Sequence, residues 1–177
     1  SEYLSNVNLG KGLMLGGIAG LSPTDVVIIG SGTVGEYACR TALGLGCNVK
    51  VFDSSLSRLR RLHQHTQRNV STSLIQPKSL RKALKRADVV IGALRSGDGR
   101  TPCVVSETMV KDMKEGSVIV DVSIDHGGCF ETSEVTTHKK PIFNKHGIVH
   151  YCVPNIASRV ARTSSFAICN VISQILL

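Results

Sequence analysis

The feature that most constrains the fold is the stretch VVIIGSGTVGEYACR, which begins at Val26. Its apolar run is followed by Gly30, Gly32 and Gly35, which fit the pattern GxGxxG, and then by a helical pattern. In such a strand–turn–helix unit the first glycine makes the tight turn and the second lets the backbone approach a pyrophosphate. The third lets the helix pack closely on the strand. The stretch therefore predicts a dinucleotide-binding turn, and a plain strand-to-helix turn is the alternative.

Short apolar runs alternate with longer helical patterns along the whole chain. Strands are predicted at Val26–Gly30, Asn48–Asp53, Val70–Leu74, Val89–Gly92, Ser117–Val122 and Ile148–Val153. Helices are predicted at Val34–Leu45, Leu56–Gln67, Ser79–Arg86, Glu107–Met113 and Ser164–Leu177, with Ser106 as a cap and Gly116 as a stop. This alternation predicts the α/β class, as a Rossmann-type doubly wound parallel sheet in a three-layer α/β/α arrangement.

The length of 177 residues suits one nucleotide-binding domain over 1–177. We expect its sheet core at about 22–155, with 1–21 and 156–177 as connections toward a further, substrate-binding domain. The glycine-rich opening and the abrupt apolar end, Ile175-Leu176-Leu177, both favour a piece of a longer protein.

Composition limits the class of protein. The net charge is +8, but the basic runs at 58–68 and 78–86 are not interleaved with aromatic residues, so nucleic-acid binding is not expected. The six cysteines lack CxxC spacing, which argues against a metal site, and Cys39, Cys47 and Cys169 lie in apolar segments typical of buried cysteine. No apolar run is long enough to span a bilayer, and no signal peptide opens the chain. We therefore expect a cytoplasmic protein without a membrane partner.

Asp53 ends the second predicted strand, 18 residues after Gly35. A carboxylate at this place can accept hydrogen bonds from the adenosine ribose and would repel the additional phosphate of NADP, so it favours NAD. Arg58, Arg60 and Arg61 follow closely and could host that phosphate. A cap for the helix at Leu56 is the structural alternative for Asp53.

A second polar cluster follows the fifth predicted strand and contains Asp125 and His126. In a doubly wound sheet, ligands bind beyond the carboxyl ends of the strands, so Asp125 is expected on the same rim as the glycine turn. Its carboxylate could position a substrate amine, relay a proton or hydrogen-bond the nicotinamide ribose. A cap for the glycine turn behind it is equally compatible with the spacing.

The segment IDHGGCFET, from Ile124 to Thr132, resembles the signature after the fifth strand of alanine dehydrogenases. The resemblance extends to GGIAG at 16–20, the glycine turn, ADVVIGA at 87–93, GSVIVD at 116–121 and RTSSFA at 162–167. It implies an NAD-dependent oxidoreductase of L-alanine catabolism, which interconverts L-alanine with pyruvate and ammonia. The substrate would be held by a separate N-terminal domain, and the whole enzyme would be a homo-oligomer, a hexamer.

The resemblance also implies roles for individual residues. Asp53 falls where the adenosine ribose is held, Arg58 beside the adenine, and Asp125 where the family keeps an active-site acid near the nicotinamide. Asn155 falls on the segment that lines the nicotinamide pocket, and Leu94 where backbone contacts reach the cofactor. The predicted catalytic residue is Asp125, and the predicted cofactor contacts are Gly30, Gly32, Thr33, Val34, Gly35, Asp53, Arg58, Leu94, Ile124, Asp125 and Asn155.

Departures from the family pattern leave other functions open. The loop at 93–100 is more polar than usual, and Ala161 stands where a proline normally precedes the Arg-Thr pair. None of the six histidines matches the catalytic histidine of the N-terminal domain, and His150, inside a strand, is expected to be a core residue. The alternatives are the NAD-binding subunit of a transhydrogenase, a dehydrogenase for another amino acid, and a catalytically silent NAD sensor.

Overall fold

A computed structural model describes residues 2–66, 70–95, 97 and 99–176 of the chain. The strands are β1 (Asp25–Ile29), β2 (Asn48–Asp53), β3 (Ser71–Leu74), β4 (Val89–Gly92), β5 (Val118–Asp121), β6 (Ile142–Lys145) and β7 (Ile148–Tyr151). The α-helices are α1 (Thr33–Gly44), α2 (Leu56–Thr66), α3 (Pro77–Leu84), α4 (Glu107–Lys111) and α5 (Ala161–Leu176). Short 3-10 helices cover Glu2–Leu4, Asn6–Asn8, Val122–His126 and Ile156–Val160.

The seven strands form one sheet in the order β3-β2-β1-β4-β5-β7-β6. All neighbours are parallel except β6, which runs antiparallel to β7 at the edge. The chain winds outward from β1 to β3 and then returns to place β4 on the other side of β1. The strand order therefore reverses between β1 and β4, and the crevice beyond the carboxyl ends of these two strands is the place where such sheets bind ligands.

Helices cover both faces of the sheet, which confirms the predicted three-layer Rossmann-type fold. Successive side chains of β1 point to opposite faces, so Val26 and Ile28 join one core while Val27 and Ile29 join the other. The first core includes Cys39 of α1 and Leu59 and Leu62 of α2. The second includes Leu80 and Leu84 of α3, Val110 of α4 and Phe130. Strands buried on both faces explain the continuous apolar runs of the sequence.

The predicted elements are confirmed with end shifts of at most three residues, except at the far edge of the sheet. The sequence pattern did not predict β6, which adds an antiparallel edge strand to the predicted parallel sheet by forming a hairpin with β7. The hairpin turn contains His146 and Gly147, both with positive φ. β6 is only partly buried, and Pro141 precedes it, so its sequence lacks a clear strand pattern. The predicted end of α2 at Gln67 and that of α5 at Leu177 lie outside the described residues.

Among the residues of α5 whose burial the structure describes, 161–175, none is buried. Phe166, Ile168, Val171 and Ile175 are all more than half exposed. Cys169 is exposed with them, so the expectation that it is a buried cysteine was wrong, whereas Cys39 and Cys47 are buried. The apolar composition of α5 resembles that of a core helix, but the large apolar side chains described for α5 remain exposed.

Asp88 joins the amino ends of β1 and β4. Its Oδ2 atom accepts a hydrogen bond from the Asp25 amide at 3.0 Å, and its Oδ1 atom lies 2.9 Å from Lys114 Nζ and 3.6 Å from Lys11 Nζ. Partial burial acts to raise the pKa of Asp88, but the hydrogen bonds and the two ammonium charges outweigh it and hold that pKa below its ordinary value. Asp88 therefore links the N-terminal segment and the segment after α4 to the centre of the sheet.

We expect Asp88→Asn to lower the free energy of unfolding by about 1–2 kcal/mol at neutral pH, because it weakens charge-assisted hydrogen bonds. The pKa of Asp88 is lower in the folded than in the unfolded chain, so its carboxylate contributes stability above about pH 3.9. That contribution disappears as the pH falls through the lower folded pKa, so the difference between the two proteins should shrink in acid. Urea unfolding at several pH values measures this.

Asp112→Asn is the matched control, because Asp112 pairs with Arg81 and Lys85 at a more exposed site. We expect it to cost less stability than Asp88→Asn. Equal losses for the two variants, or a loss at Asp88 that does not change with pH, would contradict the role given to Asp88.

Candidate functional site

Two adjoining clefts lie where the strand order reverses. The first, of about 460 Å³, is lined by Gly32, Thr33, Val34, Arg58, Arg61, Ala93, Arg95 and Gly97. The second, of about 510 Å³, is lined by Val34, Ala93, Leu94, Arg95, Val122, Ser123, Asp125, His126, Asn155, Ile156 and Ala157. We call them the adenosine cleft and the nicotinamide cleft, after the predicted positions of the two halves of a dinucleotide. They share Val34, Ala93 and Arg95, so they form one crevice across β2, β1, β4 and β5.

A further depression of about 470 Å³ lies at the amino ends of the central strands, beside α3. It is lined by residues such as Asp25, Asn48 and Arg86 and has none of the predicted site residues. Ligands of doubly wound sheets bind at the carboxyl ends of the strands, so we place the functional site in the crevice and not in this depression.

The three glycines of the turn have three different surroundings. Gly30 has a φ of 107°, and a Cβ atom there would collide with the carbonyl of Ala93. A Cβ atom on Gly35 would collide with the carbonyl oxygen of Gly30, which shows how closely α1 begins against β1. Gly32 has open space where a Cβ atom would stand. The turn therefore has the tight bend, the open backbone and the close helix contact that a pyrophosphate site requires.

The N-terminus of α1 faces the crevice without a side-chain cap. Its N-cap residue is Gly32, which has no side chain to accept hydrogen bonds from the first-turn amides. Such amides, with the positive end of the helix dipole, bind phosphate. The residues present thus fit the pyrophosphate of a dinucleotide, and Thr33 and Val34 are exposed beside it.

Asp53 is almost fully buried, with 1% of its surface exposed. Its Oδ2 atom accepts hydrogen bonds from the amide and the hydroxyl of Ser31, at 2.7 and 2.8 Å, and its Oδ1 atom accepts one from the Ser55 amide at 2.8 Å. The hydroxyl of Ser55 accepts from the Arg58 amide at 3.4 Å, so Ser55 and not Asp53 caps α2. In this structure Asp53 holds the glycine turn in place. Its predicted contact with the adenosine ribose stays a prediction.

The nicotinamide cleft contains the exposed carboxylate of Asp125. Its Oδ1 atom accepts a hydrogen bond from the Asn155 amide at 2.9 Å, which joins the loop after β5 to the segment after β7. Asn155 has a φ of 50°, in the left-handed region that asparagine tolerates better than most residues. Asp125 does not cap the glycine turn behind it through any hydrogen bond that we find among the described residues. Its second oxygen can therefore face a ligand.

Asp121 organises the loop that carries Asp125. Its Oδ1 atom accepts from the Ser123 amide at 3.0 Å, and its Oδ2 atom accepts from the Cys129 amide at 3.0 Å and from the Ser133 hydroxyl at 2.6 Å. Burial raises the pKa of Asp121, and these hydrogen bonds oppose that shift. The Ser123 hydroxyl donates to the Leu94 carbonyl at 2.8 Å and fixes this loop against the end of β4.

His150 is fully buried, as expected for a core histidine. Its Nδ1 atom lies 3.0 Å from the Ile148 carbonyl and therefore carries the proton, so Nε2 accepts from the Thr132 hydroxyl at 2.9 Å. Burial, the largest effect, lowers the pKa of His150 and keeps the ring neutral. The hydrogen bond between Thr132 and His150 holds the end of the IDHGGCFET segment against β7.

The crevice brings together seven of the eleven predicted site residues. Those that line it are Gly32, Thr33, Val34, Arg58, Leu94, Asp125 and Asn155. Gly30 and Gly35 shape the turn behind it, and Asp53 supports that turn. The side chain of Ile124 is buried beneath the loop and does not line the crevice, so the predicted cofactor contact of Ile124 stays a prediction. Sequence reasoning missed Ser31, Arg95 and Asp121. For Asp121 a signal existed, since it ends β5 directly before the signature segment.

A metal site and a membrane-spanning helix are both absent from the described residues. They contain no cluster of His, Cys, Asp and Glu side chains suited to a metal ion. None of their helices is both long and apolar enough to cross a membrane.

The chain matches the family described as "Alanine dehydrogenase/PNT, C-terminal domain" over residues 1–177. The chain is 45% identical over 170 residues to a protein of Halomonas elongata named alanine dehydrogenase. That alignment covers 96% of this chain and 46% of the relative. The chain thus spans about half the length of the curated relatives it matches.

Solved structures agree with this match. An L-alanine dehydrogenase superposes with a TM-score of 0.92 at 38% identity, over 96% of this chain and 47% of that one. A transhydrogenase from Sinorhizobium meliloti superposes with a TM-score of 0.82 at 22% identity, over 98% of this chain and 52% of that one. The second likeness shows the fold alone.

We expect Asn155→Ala to lower the free energy of unfolding by about 1 kcal/mol, because alanine is strained at a φ of 50°. Asn155→Gly should cost less than Asn155→Ala, since glycine adopts this conformation freely. Both variants keep the backbone amide that donates a hydrogen bond to Asp125. Urea unfolding of both variants measures the difference. An equal loss in the two variants would show that the asparagine side chain, and not the backbone conformation, is what matters.

Proposed function

The chain belongs to the alanine dehydrogenase/PNT C-terminal domain family, and we propose that it is the NAD-binding domain of an alanine dehydrogenase. The enzyme would catalyse the reversible oxidative deamination of L-alanine to pyruvate and ammonia. The observation that carries the proposal is the crevice itself, in which an uncapped helix N-terminus and Asp125 lie on one rim, in a chain 45% identical to an alanine dehydrogenase.

The turn at 30–35 would bind the pyrophosphate of NAD. The open backbone at Gly32 allows close approach, and the first-turn amides of α1 supply hydrogen-bond donors. Because Ser31 is fixed by two hydrogen bonds to Asp53, these amides are already oriented before the cofactor binds. Binding then requires little ordering of the turn, which favours affinity.

The nicotinamide end would lie toward Asp125. When bound, NAD supplies the acceptor for the hydride that leaves the α-carbon of alanine. The Asp125 carboxylate would orient the substrate amine or exchange a proton with it, and His126 beside it adds a second titratable group. The hydrogen bond from the Asn155 amide holds the carboxylate in the cleft. We propose that a partner domain supplies the remaining substrate contacts and that the whole enzyme is a cytoplasmic homo-oligomer, a hexamer.

The transhydrogenase alternative is supported by fold alone, since the likeness to the solved transhydrogenase has 22% identity. A dehydrogenase for another amino acid would use the same cofactor site. It is tested by assaying the full-length protein with a panel of amino acids, in which alanine should give the highest kcat/KM.

Gly32→Ala should weaken NAD binding at least about tenfold, the equivalent of one lost phosphate–amide hydrogen bond, because a methyl group would fill the approach to the backbone. Its fold should remain intact, since nothing lies within 4 Å of the added Cβ position. Calorimetric titration with NAD measures the affinity. Gly35→Ala is the contrast and should lower the free energy of unfolding by about 1–3 kcal/mol through its collision with Gly30. Unchanged NAD affinity in Gly32→Ala would place the pyrophosphate elsewhere.

Asp125→Asn in the full-length protein should lower kcat with alanine at least about 100-fold, the usual contribution of a positioned acid or base. The NAD affinity should change little, because the pyrophosphate site is untouched. Asp112→Asn, at a partly exposed carboxylate that lines neither cleft, serves as the control in the same NADH absorbance assay. The 177-residue chain alone should bind NAD without forming NADH from alanine. Full alanine turnover in Asp125→Asn would contradict the catalytic role of Asp125, whereas NAD binding without alanine turnover in the unsubstituted full-length protein would favour the sensor alternative.

A further inference from the structure

Asp125 is held from two sides, by segments that follow two different strands. From one side, the Asn155 amide, in the segment after β7, donates to the Asp125 Oδ1 atom at 2.9 Å. From the other side, Asp125 follows Ser123 by two residues in the loop after β5, and the Ser123 amide donates to Asp121 Oδ1 at 3.0 Å. The place of the Asp125 carboxylate therefore depends on how these two segments are joined to each other.

The Asp121 carboxylate joins them. Cys152 directly follows β7 and lies three residues before Asn155, and its thiol donates to the Ser133 hydroxyl at 3.7 Å. That hydroxyl donates in turn to Asp121 Oδ2 at 2.6 Å. The same oxygen accepts from the Cys129 amide at 3.0 Å, farther along the loop after β5. Hydrogen bonds from both segments therefore lead to one carboxylate, and with Asp125 they form a closed circuit.

The backbone around Asp121 leaves its carboxylate little freedom to move. A Cβ atom on Gly92 would lie 3.1 Å from Asp121 Oδ1, and one on Gly128 would lie 2.6 Å from Oδ2. The end of β4 and the loop after β5 thus enclose the carboxylate from two sides, and Asp121 is 1% exposed. Catalytic groups must be held within about 0.5 Å of their productive position, so a rigid anchor of this kind suits a loop that carries one.

We infer that Asp121 is a positioning residue for the reaction, because it sets the place of the Asp125 carboxylate relative to the substrate amine. The inference rests on the proposed function, since it requires Asp125 to act on alanine. Asp121 lines neither cleft, so it would act through Asp125 and not on the substrate itself. Displacing a catalytic group by about 1 Å can slow a reaction about 100-fold.

Asp121→Asn in the full-length protein should lower kcat with alanine at least about 30-fold and change the Kd for NAD less than about fivefold. The side-chain amide has the shape of the carboxylate, but its NH₂ group cannot accept the two hydrogen bonds that reach Oδ2. The hydrogen bonds described for Asp121 do not reach the glycine turn, so pyrophosphate binding should persist. NADH absorbance measures kcat, and calorimetric titration measures the Kd.

Asp88→Asn is the matched control for this experiment. Asp88 is also a carboxylate that holds the sheet together, but it accepts from the Asp25 amide at the opposite, amino edge of the strands. The substitution should lower stability and leave kcat unchanged in the folded protein. Circular dichroism establishes that each variant is folded before its kcat is compared.

A double-mutant cycle separates positioning from a merely structural role. If Asp121 acts through Asp125, the two substitutions are not independent, and their effects on kcat do not multiply. We expect the double variant Asp121→Asn/Asp125→Asn to be less than about threefold slower than Asp125→Asn alone. A general loss of folded protein would instead slow both backgrounds by the same factor.

Ser133→Ala is a milder variant that tests the same circuit. It removes one hydrogen bond to Asp121 and leaves the carboxylate in place. Because hydrogen bonds to charged groups are strong, we expect kcat to fall at least about fivefold, and this loss should also disappear in the Asp125→Asn background. If Asp121→Asn does not fold, the test rests on Ser133→Ala with the same criteria.

The outcomes separate this inference from the proposed function. If folded Asp121→Asn turns over alanine normally, or its loss multiplies with that of Asp125→Asn, the inference is wrong while the proposed function stands. A fall in NAD affinity as large as the fall in kcat also overturns the inference. If the unsubstituted full-length protein forms no NADH from alanine, the proposed function itself fails. A kcat loss that disappears in the Asp125→Asn background, with NAD affinity kept, supports the inference.

Discussion

The contact between Gly35 and the carbonyl oxygen of Gly30 is the constraint on which the rest of the site depends. It sets the beginning of α1 directly against the end of β1, and no side chain larger than hydrogen fits between them. This closeness brings the first-turn amides to the edge of the sheet at the point where the strand order reverses. The position of the crevice, and of any phosphate within it, therefore follows from one backbone contact.

Two buried carboxylates then hold the two halves of the crevice. Asp53 fixes the glycine turn through Ser31, and Asp121 fixes the loop after β5 through the Cys129 amide and the Ser133 hydroxyl. Each lies at the carboxyl end of a strand, is 1% exposed and accepts three hydrogen bonds. Asp53 accepts two from the neighbouring glycine turn and one from Ser55, whereas Asp121 accepts all three from the loop that follows it. Because these two buried acids hold the loops in place, the exposed carboxylate of Asp125 can face a ligand.

Much of the fold followed from local sequence. The β1–α1–β2 unit was predictable because apolar runs, turn glycines and a helical pattern occur in direct succession. β6 was not, because a short, half-buried edge strand has no apolar run, and its pairing partner β7 supplies the register. The parts of the site that were predictable are the glycine turn and Asp125, because the GxGxxG pattern and the IDHGGCFET segment mark them in the sequence. The inward orientation of Asp53 depends on the Ser31 hydroxyl and on burial, which a motif does not encode.

Gly92 at the end of β4 has a consequence for how the family can vary. A Cβ atom there would approach Phe130 to 2.6 Å and Asp121 Oδ1 to 3.1 Å. β4 and the loop after β5 therefore pack directly against each other and leave no space for a side chain at position 92. A larger residue at position 92 would require a smaller one at 129 or 130. The resulting rearrangement would also move the Asp121 carboxylate, which holds the loop after β5 in place. Substitutions at these positions should therefore be tolerated in compensating pairs, and a search for paired changes among relatives would detect this coupling.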